Sequence, residues 1–292
     1  MKRENHGISL SRHPQAEYGQ RLMSAFEITF LGTATSLGVP VIGCSCAVCQ
    51  SPDPRDSRDR ASIFIRTPEL CWVVDTGPDF RRQCLRYKIT QVDAVLITHA
   101  HTDHIMGFDD LRPFTFGMED RLPVYAAPDT MAGLRHVFSF AFDPNNRWPG
   151  YLKPEPHEVT GPFQLGLTTV TPLPVQHGSV ITTGFRFDRP GMPGVAYVPD
   201  CKTIPESTLH LMMNVGVLII DALRHRTHAT HLSVEEATAI ARRINAGRTW
   251  FTHLSHELEH AALEASLPPE IRVAFDGLVL HAGMQEDRTA GF

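Results

Sequence analysis

Short apolar runs alternate with turns along most of the chain, and this pattern predicts strands. The runs hold four to eight residues, are rich in β-branched and aromatic side chains, and end at turn residues. Eight strands are predicted in this way, at residues 25–31, 62–66, 71–75, 93–97, 168–175, 181–187, 195–198 and 217–221.

Helical spacing of apolar positions predicts helices between these strands, at residues 79–88, 129–138, 233–245 and 257–267. The segment 233–245 has the clearest pattern, because Ser233 and Glu236 form a capping box at its start and Gly247 follows its end. Its apolar stripe consists of Val234, Ala237, Ile240, Ala241 and Ile244. Strands and helices in both halves predict an α/β fold of two packed sheets with helices outside.

A single domain over residues 25–285 is predicted, because no linker-like composition or short-period repeat divides it. Residues 1–24 are polar and lack the apolar stretch of a secretory signal, so we expect a disordered extension there, or translation from Met23. Residues 286–292 are expected to form a tail. No apolar run reaches the roughly 20 residues that span a bilayer. A cytoplasmic location without a membrane partner is therefore expected.

The overall composition is that of an ordinary globular protein, with 292 residues, 42% hydrophobic residues and a net charge of -5. This acidic balance argues against nucleic acid as a partner of the whole surface, while it allows a local basic pocket for a phosphorylated small molecule. In a cytosolic setting thiols stay reduced, so the six cysteines do not indicate three disulfides. Cys71, Cys84 and Cys201 lie among apolar neighbours, which predicts small buried side chains.

Four metal-ligand side chains follow directly after the predicted strand 93–97. They are His99, His101, Asp103 and His104. Imidazole and carboxylate groups together suit zinc, manganese or iron. Two such ions, about 3.5–4 Å apart, can clamp both oxygens of a displacement reaction. The pattern therefore predicts a two-metal hydrolytic site rather than a surface loop that is rich in histidine by chance.

One loop cannot complete two coordination shells, so further ligands must come from other segments. Three candidates also stand at the end of strand-like runs, namely His177, Asp200 and His253. Each taken alone fits a structural role better. Their common position after a strand favours metal binding once the first cluster is accepted.

This order of ligands resembles the metallo-β-lactamase fold superfamily. Within it, the chain is most similar to the phosphoribosyl 1,2-cyclic phosphate phosphodiesterases of bacterial phosphonate breakdown and their relatives. The resemblance covers roughly residues 26–282 and includes the segments 30–33, 38–40, 43–49, 75–77, 99–104, 171–177, 252–256 and 275–277 together with Asp200. It implies a four-layer αββα sandwich and a metal-dependent phosphoric diester hydrolase.

The resemblance also implies the role of each ligand. His99, His101 and His177 would hold one divalent ion, Asp103, His104 and His253 would hold the other, and Asp200 would bridge them. The ligand types do not choose between manganese and zinc. Asp103 is expected to be needed for catalysis as a ligand. His231, just ahead of the predicted helix 233–245, would donate a proton to the leaving group.

Three cysteines within six residues, Cys44, Cys46 and Cys49, offer thiolates but lack the fourth ligand of a closed zinc site. Buried or redox-active cysteines are the alternative interpretation. By the resemblance, His256 supplies the fourth ligand, three residues after His253. The site would then be a structural zinc that pins the N-terminal loop to the C-terminal metal loop.

A basic loop precedes the predicted helix 233–245 and supplies the candidate substrate-binding residues His228, Arg224 and His225. Arginine and histidine side chains bind phosphate groups through charge-assisted hydrogen bonds. A solvated cationic loop is the alternative for His225 and the arginines.

A hydrolase of a small ribose-containing cyclic phosphate is the predicted function, with nucleoside monophosphates as products or analogues and a homodimer as the suggested state. An RNA-processing nuclease similar to the tRNA 3′-end endonuclease is the alternative. Those proteins carry a long basic arm before the bridging Asp, whereas residues 188–194 are hairpin-sized here. A metal-binding module without catalysis is a second alternative, against which the complete ligand set argues.

Overall fold

A computed structural model of the chain describes residues 26–116, 121–145, 148 and 150–282. The predicted extension 1–24 and the predicted tail 286–292 lie outside these residues. Two seven-stranded sheets form the centre of the structure. The first sheet has the order β14-β1-β2-β3-β4-β5-β6, with β1 Phe26–Gly32, β2 Ser62–Arg66, β3 Cys71–Val74, β4 Ala94–Ile97, β5 Leu122–Ala126, β6 Pro154–Glu158 and β14 Val279–Ala282.

The second sheet mirrors the first in size and has the order β13-β12-β11-β10-β9-β8-β7. Its strands are β7 Phe163–Leu165, β8 Thr168–His177, β9 Val180–Asp188, β10 Val195–Val198, β11 Val217–Asp221, β12 Arg248–Thr252 and β13 Ile271–Val273. All eight predicted strands are present. β5, β6, β7, β13 and β14 were not predicted as strands.

Seven α-helices lie among the described residues: α1 Phe80–Arg86, α2 Thr102–Ile105, α3 Pro128–Val137, α4 Ser139–Phe142, α5 Glu206–Met212, α6 Val234–Ile244 and α7 His260–Ser266. Two 3₁₀ helices span Pro54–Asp56 and Phe108–Thr115. The capping box of α6 forms as predicted, with Ser233 and Glu236 bonded reciprocally. α6 ends at Ile244, and Asn245 caps it with a left-handed backbone (φ 57°). The sequence had marked this helix end by Gly247, two residues further on.

Three apolar clusters show how the layers pack. The central cluster joins the facing sides of the two sheets, for example Trp72 and Phe30 with Phe187 and Tyr197. A second cluster packs α1, α3 and a 3₁₀ helix on the outer face of the first sheet. A third packs α5, α6 and α7 on the outer face of the second sheet. This arrangement confirms the predicted four-layer αββα sandwich.

The strands that precede the candidate ligands end at one edge of the sandwich. β3 and β4 are parallel in the first sheet, and β10, β11 and β12 are parallel in the second. β8 runs in the same direction as β10, because each is antiparallel to β9. Side chains just after these strands therefore meet at the carboxyl ends of both sheets, where α/β folds place their sites.

Candidate active site

The first ligand group joins the exit of β4 with the end of β8. The ligand atoms of His99, His101 and His177 all lie within 4.8 Å of one another. His99 Nδ1 donates to the Thr98 hydroxyl at 2.9 Å, which leaves Nε2 as a ligand atom, 2.9 Å from His101 Nδ1. His177 Nδ1 donates to the Thr230 carbonyl oxygen at 2.8 Å. Burial lowers the pKa of His99 and His177 and favours the neutral imidazoles that bind metals.

The second ligand group consists of Asp103, His104 and His253, whose ligand atoms also lie within 4.8 Å of one another. Asp103 and His104 belong to the one-turn helix α2, which follows His101. A Cβ on Gly77 would overlap the Asp103 carbonyl oxygen, so glycine at this position lets α2 approach the β3 exit. Asp200 lies between the two groups, within the same distance of His99 and His104.

Buried polar atoms of the second group fit bound cations. His104 Nε2, Asp200 Oδ2 and His253 Nε2 are buried, and none of them makes a well-directed hydrogen bond within the described residues. They are close together all the same: His104 Nε2 lies 2.8 Å from Asp200 Oδ2, and His253 Nε2 lies 3.1 Å from Asp200 Oδ1. Burying such groups without partners is costly. Divalent ions between them would satisfy these atoms, so the residues present fit a metal pair.

A buried carboxylate orients both His104 and the β4 exit. Asp75, at the end of β3, accepts from His104 Nδ1 at 2.7 Å and from the Thr98 backbone N–H and hydroxyl, both at 2.8 Å. A carboxylate that holds the far nitrogen of a ligand histidine fixes its tautomer and raises its basicity. Asp75 is therefore a positioning residue for the metal site.

His231 lies beside both ligand groups. Its ring centroid is 4.5 Å from that of His177 and 4.8 Å from that of His253. Its Nδ1 donates to Asp221 Oδ2 at 2.8 Å, and Asp221 also accepts from the Cys201 N–H. This bond occupies Nδ1 and leaves Nε2 as the ring nitrogen that can meet a ligand or a substrate.

The four side chains of the predicted zinc site lie together in the structure. The thiols of Cys44, Cys46 and Cys49 lie 3.4, 3.5 and 3.5 Å from His256 Nδ1. Tetrahedral zinc, with Zn–S of about 2.3 Å and Zn–N of about 2.0 Å, separates sulfur and nitrogen by roughly 3.5 Å. The distances therefore fit one zinc ion with four protein ligands.

Backbone N–H groups support two of these thiolates. The Cys49 N–H donates to Cys46 Sγ at 3.4 Å, and the Val41 N–H donates to Cys49 Sγ at 3.3 Å. The bond from Cys49 lowers the pKa of the Cys46 thiol to about 6. Burial raises the pKa of Cys49 to about 11. A bound cation would draw the proton from Cys49, because zinc binds thiolates.

Only part of the basic loop, residues 224–231, lies near the ligand groups. Arg224 and Arg226 bond the carboxylate of Glu257, at 3.2 and 3.0 Å. His225 is exposed and lines a groove with α6 and the residues that follow α7. The structure does not bring His225 into the ligand cluster, and its role as a substrate contact stays a prediction. His228 is half-buried and its ring centroid lies 5.3 Å from that of His231, so it stays a candidate.

Two functional carboxylates were missed by the sequence reasoning as site residues, Asp75 and Asp221. Each ends a run that was predicted as a strand. The rule that selected His177, Asp200 and His253 would have selected both carboxylates as well. The structure brings all seven predicted metal ligands together at one edge of the sandwich, and the four predicted zinc ligands together in a second cluster.

Comparison with known proteins identifies the family. A family model described as the β-lactamase superfamily domain matches residues 72–254. The chain belongs to the β-lactamase superfamily. It is a metal-dependent hydrolase of this superfamily.

Three relatives show how far the similarity reaches. A diphosphatase of the PhnP family has a solved structure that is 39% identical, with a TM-score of 0.81 over 88% of this chain and 97% of that chain. An octanoyltransferase of Porphyromonas gingivalis is 36% identical over 256 residues, 85% of this chain, and the chain spans about 50% of its length. The short form of human tRNase Z is 18% identical, with a TM-score of 0.64 over 87% of this chain and 98% of that chain, and shows the fold alone.

Within the described residues, no helix is both long and apolar enough to cross a membrane.

Proposed function

We propose that this β-lactamase superfamily chain is a binuclear phosphodiesterase that hydrolyses small ribose-containing cyclic phosphates. Phosphoribosyl cyclic phosphate and 2′,3′-cyclic nucleotides are the substrate types that we expect. The observation that carries the proposal is His231, held by Asp221 beside both ligand groups. Opening a cyclic ribose phosphate expels a sugar alkoxide, a poor leaving group that gains most from a positioned proton donor.

His99, His101 and His177 would hold one divalent ion, and Asp103, His104 and His253 the other, with Asp200 between them. Manganese or zinc would serve at this pair, and a further zinc ion at the cysteine cluster would have a structural role. When bound, the pair supplies an activated water and stabilises charge on the phosphoryl oxygens.

The protein side chains would supply proton transfer and orientation. Asp221 accepts from His231 Nδ1, which leaves Nε2 as the ring nitrogen available to a substrate. As an imidazolium whose Nδ1 proton stays bonded to the Asp221 carboxylate, His231 would donate its Nε2 proton to the departing sugar oxygen and become neutral. His228 Nδ1 accepts from the Thr230 N–H at 3.3 Å, which leaves Nε2 to contact a substrate phosphate.

The connection between β9 and β10 favours a small substrate over folded RNA. It spans only residues 189–194, between Asp188 and Val195. The Arg189 guanidinium in this connection is buried and bonds Glu69 at 2.6 and 2.8 Å, so it does not extend toward a nucleic acid. Products such as nucleoside monophosphates would fit the same site.

Similarity to a diphosphatase supports hydrolysis at phosphorus, because the match includes 97% of that relative's chain. The octanoyltransferase gives no comparable support for acyl transfer, since about half of that relative lies outside the match. The fold likeness to tRNase Z keeps RNA processing as the alternative function.

A substrate panel tests the proposal. Manganese- and zinc-loaded protein would be assayed side by side on a 2′,3′-cyclic nucleotide, a pre-tRNA and a β-lactam. We expect efficient hydrolysis of the cyclic nucleotide, little cleavage of the pre-tRNA and no turnover of the β-lactam. Efficient pre-tRNA cleavage with an inert cyclic nucleotide would assign the chain to RNA processing.

A further inference from the structure

His253 has an unusual backbone, and one of its ring nitrogens has no hydrogen-bond partner among the described residues. Its φ of 59° lies in the left-handed region, which few residues other than glycine adopt. Its ring is buried and stacked on His231 at 4.8 Å, and Nε2 lies 3.1 Å from Asp200 Oδ1, whereas Nδ1 has no hydrogen-bond partner within the described residues. No hydrogen bond at Nδ1 holds the ring from the side away from Asp200, so the backbone around His253 contributes to its direction.

The residue after His253 is tied to the exit of β1. The Leu254 N–H donates to the Thr33 carbonyl oxygen at 2.8 Å, and the Thr35 N–H donates to the Leu254 carbonyl oxygen at 3.1 Å. These two bonds hold the backbone of Leu254, directly after the left-handed residue His253. A shift of Thr33 would therefore move the backbone next to His253.

Thr33 is itself held by the buried side chain of Arg58 and the half-buried side chain of Asp276. Its hydroxyl donates to Asp276 Oδ1 at 2.7 Å and accepts from Arg58 Nη1 at 2.8 Å. The same guanidinium nitrogen donates to the Ala274 carbonyl oxygen at 2.6 Å. Asp276 Oδ2 accepts from the Asp59 N–H at 2.6 Å. These bonds connect segments that are more than 200 residues apart in the sequence.

The cluster also reaches the cysteine loop. Arg58 Nη2 lies 3.1 Å from His260 Nδ1, and the His260 N–H donates to Asp56 Oδ1 at 2.8 Å. The other oxygen of Asp56 accepts from the Ser51 hydroxyl at 2.7 Å, two residues after Cys49. Burying a guanidinium is costly unless its donors are paired, so this cluster tolerates few alternative arrangements.

We infer that Thr33, fixed by Arg58 and Asp276, is a positioning residue for His253 and so for the metal ion that Asp103, His104 and His253 would hold. The inference rests on the metal role proposed for His253. The first ligand group comes from β4 and β8 and has no bond to this cluster among the described residues. Loss of the Thr33 hydroxyl should therefore weaken one ion of the pair and spare the other.

A matched pair of variants tests the inference. Thr33→Val keeps the shape but loses the hydroxyl, while Thr33→Ser keeps the hydroxyl. Each folded protein, stripped of the active pair, would be titrated with Co²⁺ and followed by calorimetry and visible absorption. We expect Thr33→Val to bind one of the two ions about 10-fold more weakly, with a changed absorption spectrum, and Thr33→Ser to stay within about 2-fold of the natural protein.

Two results in Thr33→Val would overturn the inference. Unchanged binding would show that the hydroxyl does not position His253. Equal weakening of both ions would indicate a general loss of stability, which would not single out one ion. Should Thr33→Val fail to fold, Thr33→Ala gives the same comparison. His253→Ala serves as the reference: if it keeps both ions, the metal role of His253 fails, whereas if it alone loses one ion, only the role of Thr33 fails.

Discussion

The two ligand clusters of this chain differ in how they are built and closed. The candidate active site takes its ligands from strand exits of both sheets, and most of them are buried. The cysteine cluster takes three of its four ligands from one loop, and all four are half-buried. Carboxylates orient His104 in the first cluster and His231 beside it, whereas backbone N–H groups donate to two of the sulfur atoms of the second.

These differences separate a site for chemistry from a site for stability. Four ligands at tetrahedral spacing leave no place for a substrate, which is typical of structural zinc. The active cluster spreads seven ligands over two groups and has His231 beside them as a further functional side chain. Removal of a side chain should therefore affect catalysis in one cluster and stability in the other.

The largest effect is expected from Asp103→Ala. This variant removes a ligand of the second group, so hydrolysis should fall together with the number of bound ions. The loss should exceed that of any variant that keeps both ions in place. Turnover and elemental analysis on the same folded sample measure the two quantities. Full metal content with lost activity would show that Asp103 acts in some way other than as a ligand.

His231→Ala should lose activity while both ions stay bound. We expect a rate lower by roughly 10²–10⁴ on substrates with sugar leaving groups, the range of general acid catalysis. The loss should be smaller with nitrophenolate, which leaves without a proton. Asp221→Asn is the matched control, since it disturbs the orientation of His231 and should show the same dependence on the leaving group. If His231→Ala empties the metal site, His231 is a ligand.

Cys46→Ser should lower stability more than it changes catalysis. Loss of a structural zinc belongs to the strongly destabilising changes, so we expect about 2–5 kcal/mol less free energy of unfolding. The rate per folded molecule should stay close to that of the natural protein. Mild chelation should likewise remove the active pair before this zinc. Native protein without zinc, and with these thiols freely reactive, would contradict the assignment.

The smallest effect concerns pH, at the cluster that joins the two regions. Burial lowers the pKa of His260 to about 4, against about 6.5 in the unfolded chain. Between these values the unfolded chain binds the proton more readily, so stability is complete above pH 6.5 and falls as the pH drops toward 4. His260→Asn keeps an acceptor for Arg58 but cannot take up this proton.

Denaturant unfolding at pH 7.5 and pH 5 measures this difference. The natural protein should lose more of its free energy of unfolding over the interval than His260→Asn does, while carboxylates elsewhere contribute equally to both. Parallel losses in the two proteins would show that His260 does not titrate in this window.

Much of the candidate site was predictable because its residues follow strands. His99, His101, Asp103 and His104 form one dense motif, and a strand exit marks each remaining ligand. The direction of the basic loop could not be predicted from the sequence. Composition showed a run rich in arginine and histidine, but Arg224 and Arg226 point to Glu257, and His225 lies beside α6; both partners lie elsewhere in the sequence.

The sequence by itself determined the two packed sheets, the capping of α6 and the strand ends that carry the candidate ligands, because these follow from local periodicity and side-chain chemistry. Only the tertiary structure decided the edge strands. β6, for example, contains two prolines and polar residues, and becomes a strand through pairing with β5. Tertiary structure also decided which carboxylates hold His104 and His231, and how Arg58 joins segments over 200 residues apart. Such contacts depend on chain segments that meet only when the two sheets pack.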